Sequence, residues 1–256
     1  MALVICSVAL AASLLTLFSG FGLGTLLLPA FAAFFPVEAA VAMTAIVHCA
    51  NNVFKLGLLG KKADWRIAAR FGLPAIAAAF LGARVLLWLS GLPPLAGYSA
   101  MGRLFLVSPV KLSIASLMLA FAALEAVPAL KKVSFDRRHL PLGGALSGFF
   151  GGLSGHQGAL RSAFLVRCGL TQEGFVATGV VVACLVDLTR LAVYSRHLSA
   201  AEIVGNRALL AAAVLSAFAG AWLGSRLLMR MTIRAVRLIV SWMLASIAIL
   251  LGAGII

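Results

Sequence analysis

Acidic residues are scarce in this chain. Its 256 residues contain seven Asp and Glu against 21 Lys and Arg. Only 11% of the chain is charged, against about 25% in a soluble domain, so there is too little charge to coat a solvated globule. Cysteine is scarce and unpatterned. Cys6, Cys49, Cys168 and Cys184 all sit in apolar segments, without CxxC or Cys/His ligand spacing, and read as small buried hydrophobes. No metal site and no cofactor follow from that set. The glycines Gly20, Gly22 and Gly24 alternate, but no strand and no βαβ unit surrounds them, so they are not a nucleotide fingerprint. The N-terminus lacks a basic region before its apolar run, so residues 2–18 are expected as a retained helix.

Apolar sequence is what the chain does have. It is 63% hydrophobic, with a mean hydropathy of +1.11, which is an integral membrane composition. A net charge of +14 would suggest nucleic acid in a soluble protein. Here the cations sit mostly between apolar spans, where the positive-inside bias accounts for them, and no nucleic-acid partner is expected.

Spans of roughly 20 apolar residues recur along the chain. The first segment, 2–18, breaks at Ser19 to Gly24 and resumes to Phe35. Helices follow at about 36–59, 66–89 and 110–130. Gly97 to Pro109 reads as polar and irregular. After the charged linker comes a second broken segment from Leu140, interrupted at Gly151 to Gly158, then helices at about 171–194, 207–228 and 238–256. The expected fold is an all-α integral membrane protein of about eight transmembrane helices in two homologous halves, with glycine-broken or re-entrant segments. The halves are residues 1–130 and 140–256, joined by the charged linker 131–139; together they make one transport domain. An eight-span layout puts the loops at Lys61, Lys131 and Arg196 on one side, taken as cytoplasmic. It puts Arg226, Arg230, Arg234 and Arg237 on the other. Either a re-entrant piece or inversion of the halves reconciles that distribution.

The duplication is visible in the letters. Phe18 to Phe31 resembles Phe150 to Phe164, and both carry the glycine break. Pro36 to Thr44 aligns with Thr171 to Gly179, setting Glu38 opposite Glu173 in the first turn of each helix, where a carboxylate complements the helix dipole. In the same register Asn52 falls opposite Asp187, and Lys55 opposite Arg190. Each pair is spaced i, i+3 and shares a helix face. Gly82-Ala-Arg84 later aligns with Gly224-Ser-Arg226.

Candidate substrate-binding residues follow from these breaks and faces. In the first break they are Gly22, Gly24 and Thr25. On the following helix they are Asn51, Asn52 and Lys55, with His48 nearby. In the second break they are His156 and Gln157, and on the second-half helix Asp187 and Arg190. A cation at the same point of both repeats suits an anion, helped by half-helix N–H donors. Snorkelling to the membrane interface is the competing reading for Lys55 and Arg190. Asp187 is expected to pair with Arg190, with proton carriage as its alternative role. Arg161 either lines the cavity or reaches a headgroup.

The glycine break followed by a short apolar stretch and Pro29, repeated in a second half, resembles the sulfite exporter TauE/SafE permeases. Val182 to Tyr194 is similar to their second-half helix. The resemblance implies a multi-pass permease of the plasma or inner membrane for small sulfur-containing anions, such as sulfite or an organosulfonate. His156-Gln157 stands where glycines and small residues are usual, so the departure falls on the substrate rather than the fold.

The leading expectation is therefore a secondary transporter, a permease or exporter of a small anion, working by alternating access of two repeats and not an enzyme. A passive anion channel is the alternative. A membrane-embedded enzyme using Ser154 and His156 ranks lower, since no orienting acid or GxSxG context accompanies them. The partners are a small anionic solute and the lipid bilayer, and the sequence leaves a homo-oligomer open.

Overall fold

The computed structural model describes residues 1–16, 23–100, 102–126, 134–196, 205–227 and 233–256. Ten α-helices are seen among them: α1 (Ala2–Thr16), α2 (Leu23–Ala32), α3 (Val37–Leu59), α4 (Trp65–Ser90), α5 (Pro109–Ala126), α6 (Leu140–Ser154), α7 (Gly158–Leu165), α8 (Gln172–Tyr194), α9 (Arg207–Leu227) and α10 (Ile233–Gly252). Four stretches among the described residues are long and apolar enough to cross a membrane: Val37–Lys62, Trp65–Ser90, Gln172–Tyr194 and Arg207–Gly224. α4 turns Leu73, Phe80, Leu81 and Trp88 outward, a face suited to lipid rather than water.

Local signals set the helix boundaries. Pro36 precedes α3, with no side chain capping it. Asp64 caps α4 by accepting from the Ile67 N–H at 2.9 Å, and Thr171 caps α8 by accepting from Gly174 N–H at 3.1 Å. Glu173 lies in the first turn of α8 as expected and also pairs with Lys62. Thr171 satisfies one of the free N–H groups at that end, and the exposed Glu173 carboxylate meets a cation from the turn after α3.

One expectation is corrected outright. The stretch read as irregular between Gly97 and Pro109 is a β-hairpin, β1 (Ala96–Ala100) against β2 (Arg103–Val107), antiparallel with Ala96 opposite Val107. Alternating residues such as Leu104 and Leu106 suit a strand, and Gly102 takes φ 71° in the connection, which favours glycine. Tyr98 donates its hydroxyl hydrogen to the Ala253 carbonyl at 2.7 Å, tying the hairpin to the end of α10.

α3 and α8 cross at the centre, and two contacts fix their direction. His48 meets Asp187. Fourteen residues later, in the turn that follows α3, Lys62 meets Glu173, fourteen residues earlier on α8. The helices are antiparallel, and that register sets Lys55 beside position 180.

Around this pair, α4 packs along α6, α1 along α9, and α5 along α10. The α4–α6 contact is backbone against backbone. A Cβ on Gly144, Gly148 or Gly152 would overlap the carbonyl oxygen of Phe71, Ala75 or Ala79 respectively. The spacing i, i+4, i+8 puts the three glycines on one stripe, and small residues at that spacing let helices approach closely in lipid. Gly220 of α9 meets the Leu10 carbonyl of α1 in the same way.

Candidate functional site

The second break is shorter than the glycine pattern suggests. α6 continues to Ser154, and Gly155 ends it in the left-handed region at φ 81°, its N–H bonded to the Gly151 carbonyl. The chain restarts as α7 at Gly158. Of the first expected break, Ser19 to Gly24, residues 19–22 lie outside the described residues, Gly22 among them. Gly24, in the first turn of α2, brings the two interrupted segments together: a Cβ there would sit 3.4 Å from the Gly155 carbonyl, 3.7 Å from Thr44 Cγ2 and 3.9 Å from His48 Cδ2. Thr25 is buried beside it.

Asp187 is the hub of the interior. Its Oδ2 lies 2.6 Å from His48 Nδ1 and accepts from Asn52 Nδ2 at 3.2 Å. Its Oδ1 accepts from Arg190 Nε at 3.1 Å and Nη2 at 2.8 Å, and from Gln157 Nε2 at 3.5 Å. The expected Asp187–Arg190 pair is present, and both side chains are fully buried. His48 is the member the sequence undervalued. Thr44, His48, Asn52 and Lys55 recur at i, i+4, i+8 and i+11 on an otherwise apolar helix, a polar stripe that marks this face.

Neither cation snorkels. Arg190 is 0% exposed and Lys55 5%. Their surroundings differ. With the Asn51 amide oriented to satisfy its neighbours, its oxygen accepts from Lys55 Nζ at 3.2 Å and its nitrogen donates to Ser13 Oγ and the Ala217 carbonyl, each at 3.2 Å. Asn51 therefore turns to α1 and α9, away from Asp187. Arg161 is buried too, with Nη1 3.5 Å from Gln157 Oε1, and reaches no headgroup. Among the described residues, three buried cations, Lys55, Arg161 and Arg190, face one buried carboxylate, Asp187.

Several buried polar atoms have no partner among the described residues: Arg190 Nη1, Thr44 Oγ1 and His156 Nε2. Arg190 Nη1 lies 2.8 Å from where a Gly155 Cβ would stand. It therefore points at the break, and only a glycine leaves room for it. The His156 ring stacks on Phe121, centroids 5.4 Å apart. Its Nδ1 is 3.1 Å from Ser154 Oγ, and that hydroxyl donates to the Phe150 carbonyl at 3.1 Å. The Tyr194 hydroxyl donates to the Gly152 carbonyl, holding the end of α6 against α8.

The sulfite exporter TauE/SafE family model matches residues 5–251. The chain belongs to the TauE/SafE family. Nearly its whole length is covered, so the membrane-transport character of the family applies to the chain as a whole rather than to a fragment. No curated protein and no solved structure matches this chain. Within this TauE/SafE member, Gly24, Asn52, Gln157, Asp187 and Arg190 gather around the crossing of α3 and α8. Asn51 turns instead to α1 and α9, and Lys55 meets its amide.

Proposed function

We propose that this TauE/SafE member is a secondary transporter of a small anion, with sulfite or an organosulfonate as its substrate class, acting at the plasma or inner membrane. The observation that carries this reading is the charge imbalance of the interior. A buried charge is tolerated when paired, and Lys55, Arg161 and Arg190 together outnumber Asp187. An anion that loads into the interior supplies the missing negative charge. Arg190 Nη1 at the Gly155 break is a donor without an acceptor among the described residues. The starts of α2 and α7 lie beside it, where helix N–H groups favour negative charge.

The two halves, 1–130 and 140–256, act as inverted repeats in this reading. The antiparallel crossing of α3 and α8 supports it, because the sequence register makes these two helices equivalents. Inversion also accommodates the cations at Arg226 to Arg237 that an eight-span layout placed on the opposite side. Alternating access moves one repeat against the other about this crossing.

A thermal-shift screen in detergent tests the substrate class. Sulfite, sulfate, thiosulfate, sulfoacetate, taurine and short carboxylates are compared with no ligand, in wild type and Arg190→Gln. A ligand of the folded state raises apparent stability, by about 2.7 kcal/mol at a hundredfold excess over Kd. A shift with a sulfur anion that the variant weakens supports the reading; shifts with neutral or cationic solutes alone overturn it.

A further inference from the structure

We propose that Lys55 and Arg161 form a second anion station, distinct from Arg190 and lying on the other side of the His48–Asp187 pair. It rests on the transporter reading above and adds a site to it.

Both side chains are nearly dry, Lys55 at 5% exposure and Arg161 at 9%. Neither has a carboxylate within ion-pair distance among the described residues. The polar groups that meet them there are amide oxygens, that of Asn51 for Lys55 and that of Gln157 for Arg161. An amide dipole orients a cation but does not neutralise it.

The two cations belong to one level of the molecule. The antiparallel register of α3 and α8 sets Lys55 beside position 180 of α8. Arg161 Nε lies 3.2 Å from where a Cβ on Gly179 would stand. The absence of a side chain at Gly179 lets the guanidinium lie against α8 at that height. Lys55 and Arg161 therefore stand at the same level of α8. Two like charges brought together in a dry interior call for a negative group between them. No described side chain supplies one; a small oxyanion from solution does.

Arg190 stands ten residues further along α8 from position 180, roughly 15 Å of helix rise. Asp187, His48, Asn52 and Gln157 fill the interval. The repeat register makes Lys55 and Arg190 equivalents, displaced to opposite ends of the crossing. Their neighbours make them unequal. Asp187 neutralises Arg190, whereas Asn52 occupies the matching position before Lys55. The Lys55–Arg161 station therefore carries two positive charges with no carboxylate in ion-pair contact among the described residues, and suits a small dianionic oxyanion. The Arg190 station carries a cation already shared with a carboxylate. An anion moving between them passes Asp187, whose charge is held by His48 and Arg190.

Equilibrium binding of radiolabelled sulfite to the purified full-length protein tests this, in wild type, Arg190→Gln, Lys55→Gln, Arg161→Gln and the double variant Lys55→Gln/Arg190→Gln. Arg190→Gln is expected to retain a binding component. Lys55→Gln in that background weakens it by at least about tenfold, the scale of removing a buried charged partner. Arg161→Gln weakens sulfite binding comparably, and Lys55→Arg keeps it within about threefold, which separates lost charge from lost fold. Loss of all binding in Arg190→Gln, or wild-type binding in both Lys55→Gln and Arg161→Gln, overturns the second station while leaving an anion transporter with one site. Wild-type protein that binds no sulfite overturns the sulfur-anion reading itself and the station with it.

Discussion

Arg190 gives two hydrogen bonds to the Asp187 Oδ1 one turn earlier on α8, at 3.1 and 2.8 Å, with neither side chain exposed. The pair shares its carboxylate with His48 from α3, so a local ion pair also joins the two helices that cross at the centre.

Asp187→Asn is expected to leave Arg190 as a buried cation without a counter-charge. Breaking a buried pair on one side costs about 3–5 kcal/mol, and unfolding in detergent reads it. The double variant D187N/R190Q recovers part of that loss, since the uncompensated charge is then gone. Additive losses in the double-mutant cycle contradict the coupling.

Gly148→Val is expected to separate α4 from α6. The added Cβ would overlap the Ala75 carbonyl oxygen, a backbone atom that cannot rotate away. Overpacking costs about 1–3 kcal/mol even where side chains yield, so this variant loses more and yields little folded protein. Gly57→Ala is the contrast: nothing lies within 4 Å of its Cβ position, and stability stays level or rises by about 0.5–1 kcal/mol. Monodispersity and thermal unfolding of the two variants check the pair of expectations.

Gly155→Ala meets two obstacles, a φ of 81° and the Arg190 Nη1 atom 2.8 Å from its Cβ. The left-handed conformation costs an alanine about 1–2 kcal/mol. Displacement of the guanidinium from the break adds a weaker anion response in the thermal-shift assay. A Gly155→Ala variant with a full anion response would show that Arg190 does not act at the break.

Lys62 and Glu173 give a direct test of the α3–α8 direction. Both are about half exposed, so Lys62→Ala changes stability by less than about 1 kcal/mol. Lys62→Cys with Glu173→Cys is expected to cross-link under mild oxidation, read as a mobility shift reversed by reductant. Failure to cross-link in folded protein contradicts the antiparallel register.

Much of the helical layout was legible because membrane helices announce themselves by long apolar runs: α3, α4 and α8 lie within a residue or so of their expected limits. The Asp187–Arg190 pair was legible from its i, i+3 spacing. The hairpin was not, because five-residue strands lack the length that sets a span apart, and Tyr98 and Leu104 to Leu106 carry their signal only in pairing across strands. His48 was undervalued because its partner lies 139 residues away; spacing within one helix does not reveal a contact between helices. Asn51 and Asn52 are adjacent in sequence yet face different neighbours, since consecutive helical residues point about 100° apart. Burial of Lys55 and Arg190 was equally hidden, since helix position alone does not distinguish a snorkelling cation from one packed inside.

The most direct test of the central claim is sulfite flux in proteoliposomes containing the wild-type protein or Arg190→Gln, under imposed pH and anion gradients. The account predicts gradient-dependent sulfite movement by the wild type that saturates with concentration and is lost in a folded Arg190→Gln protein. No sulfite or organosulfonate movement under any gradient, or equal flux in the variant, contradicts it.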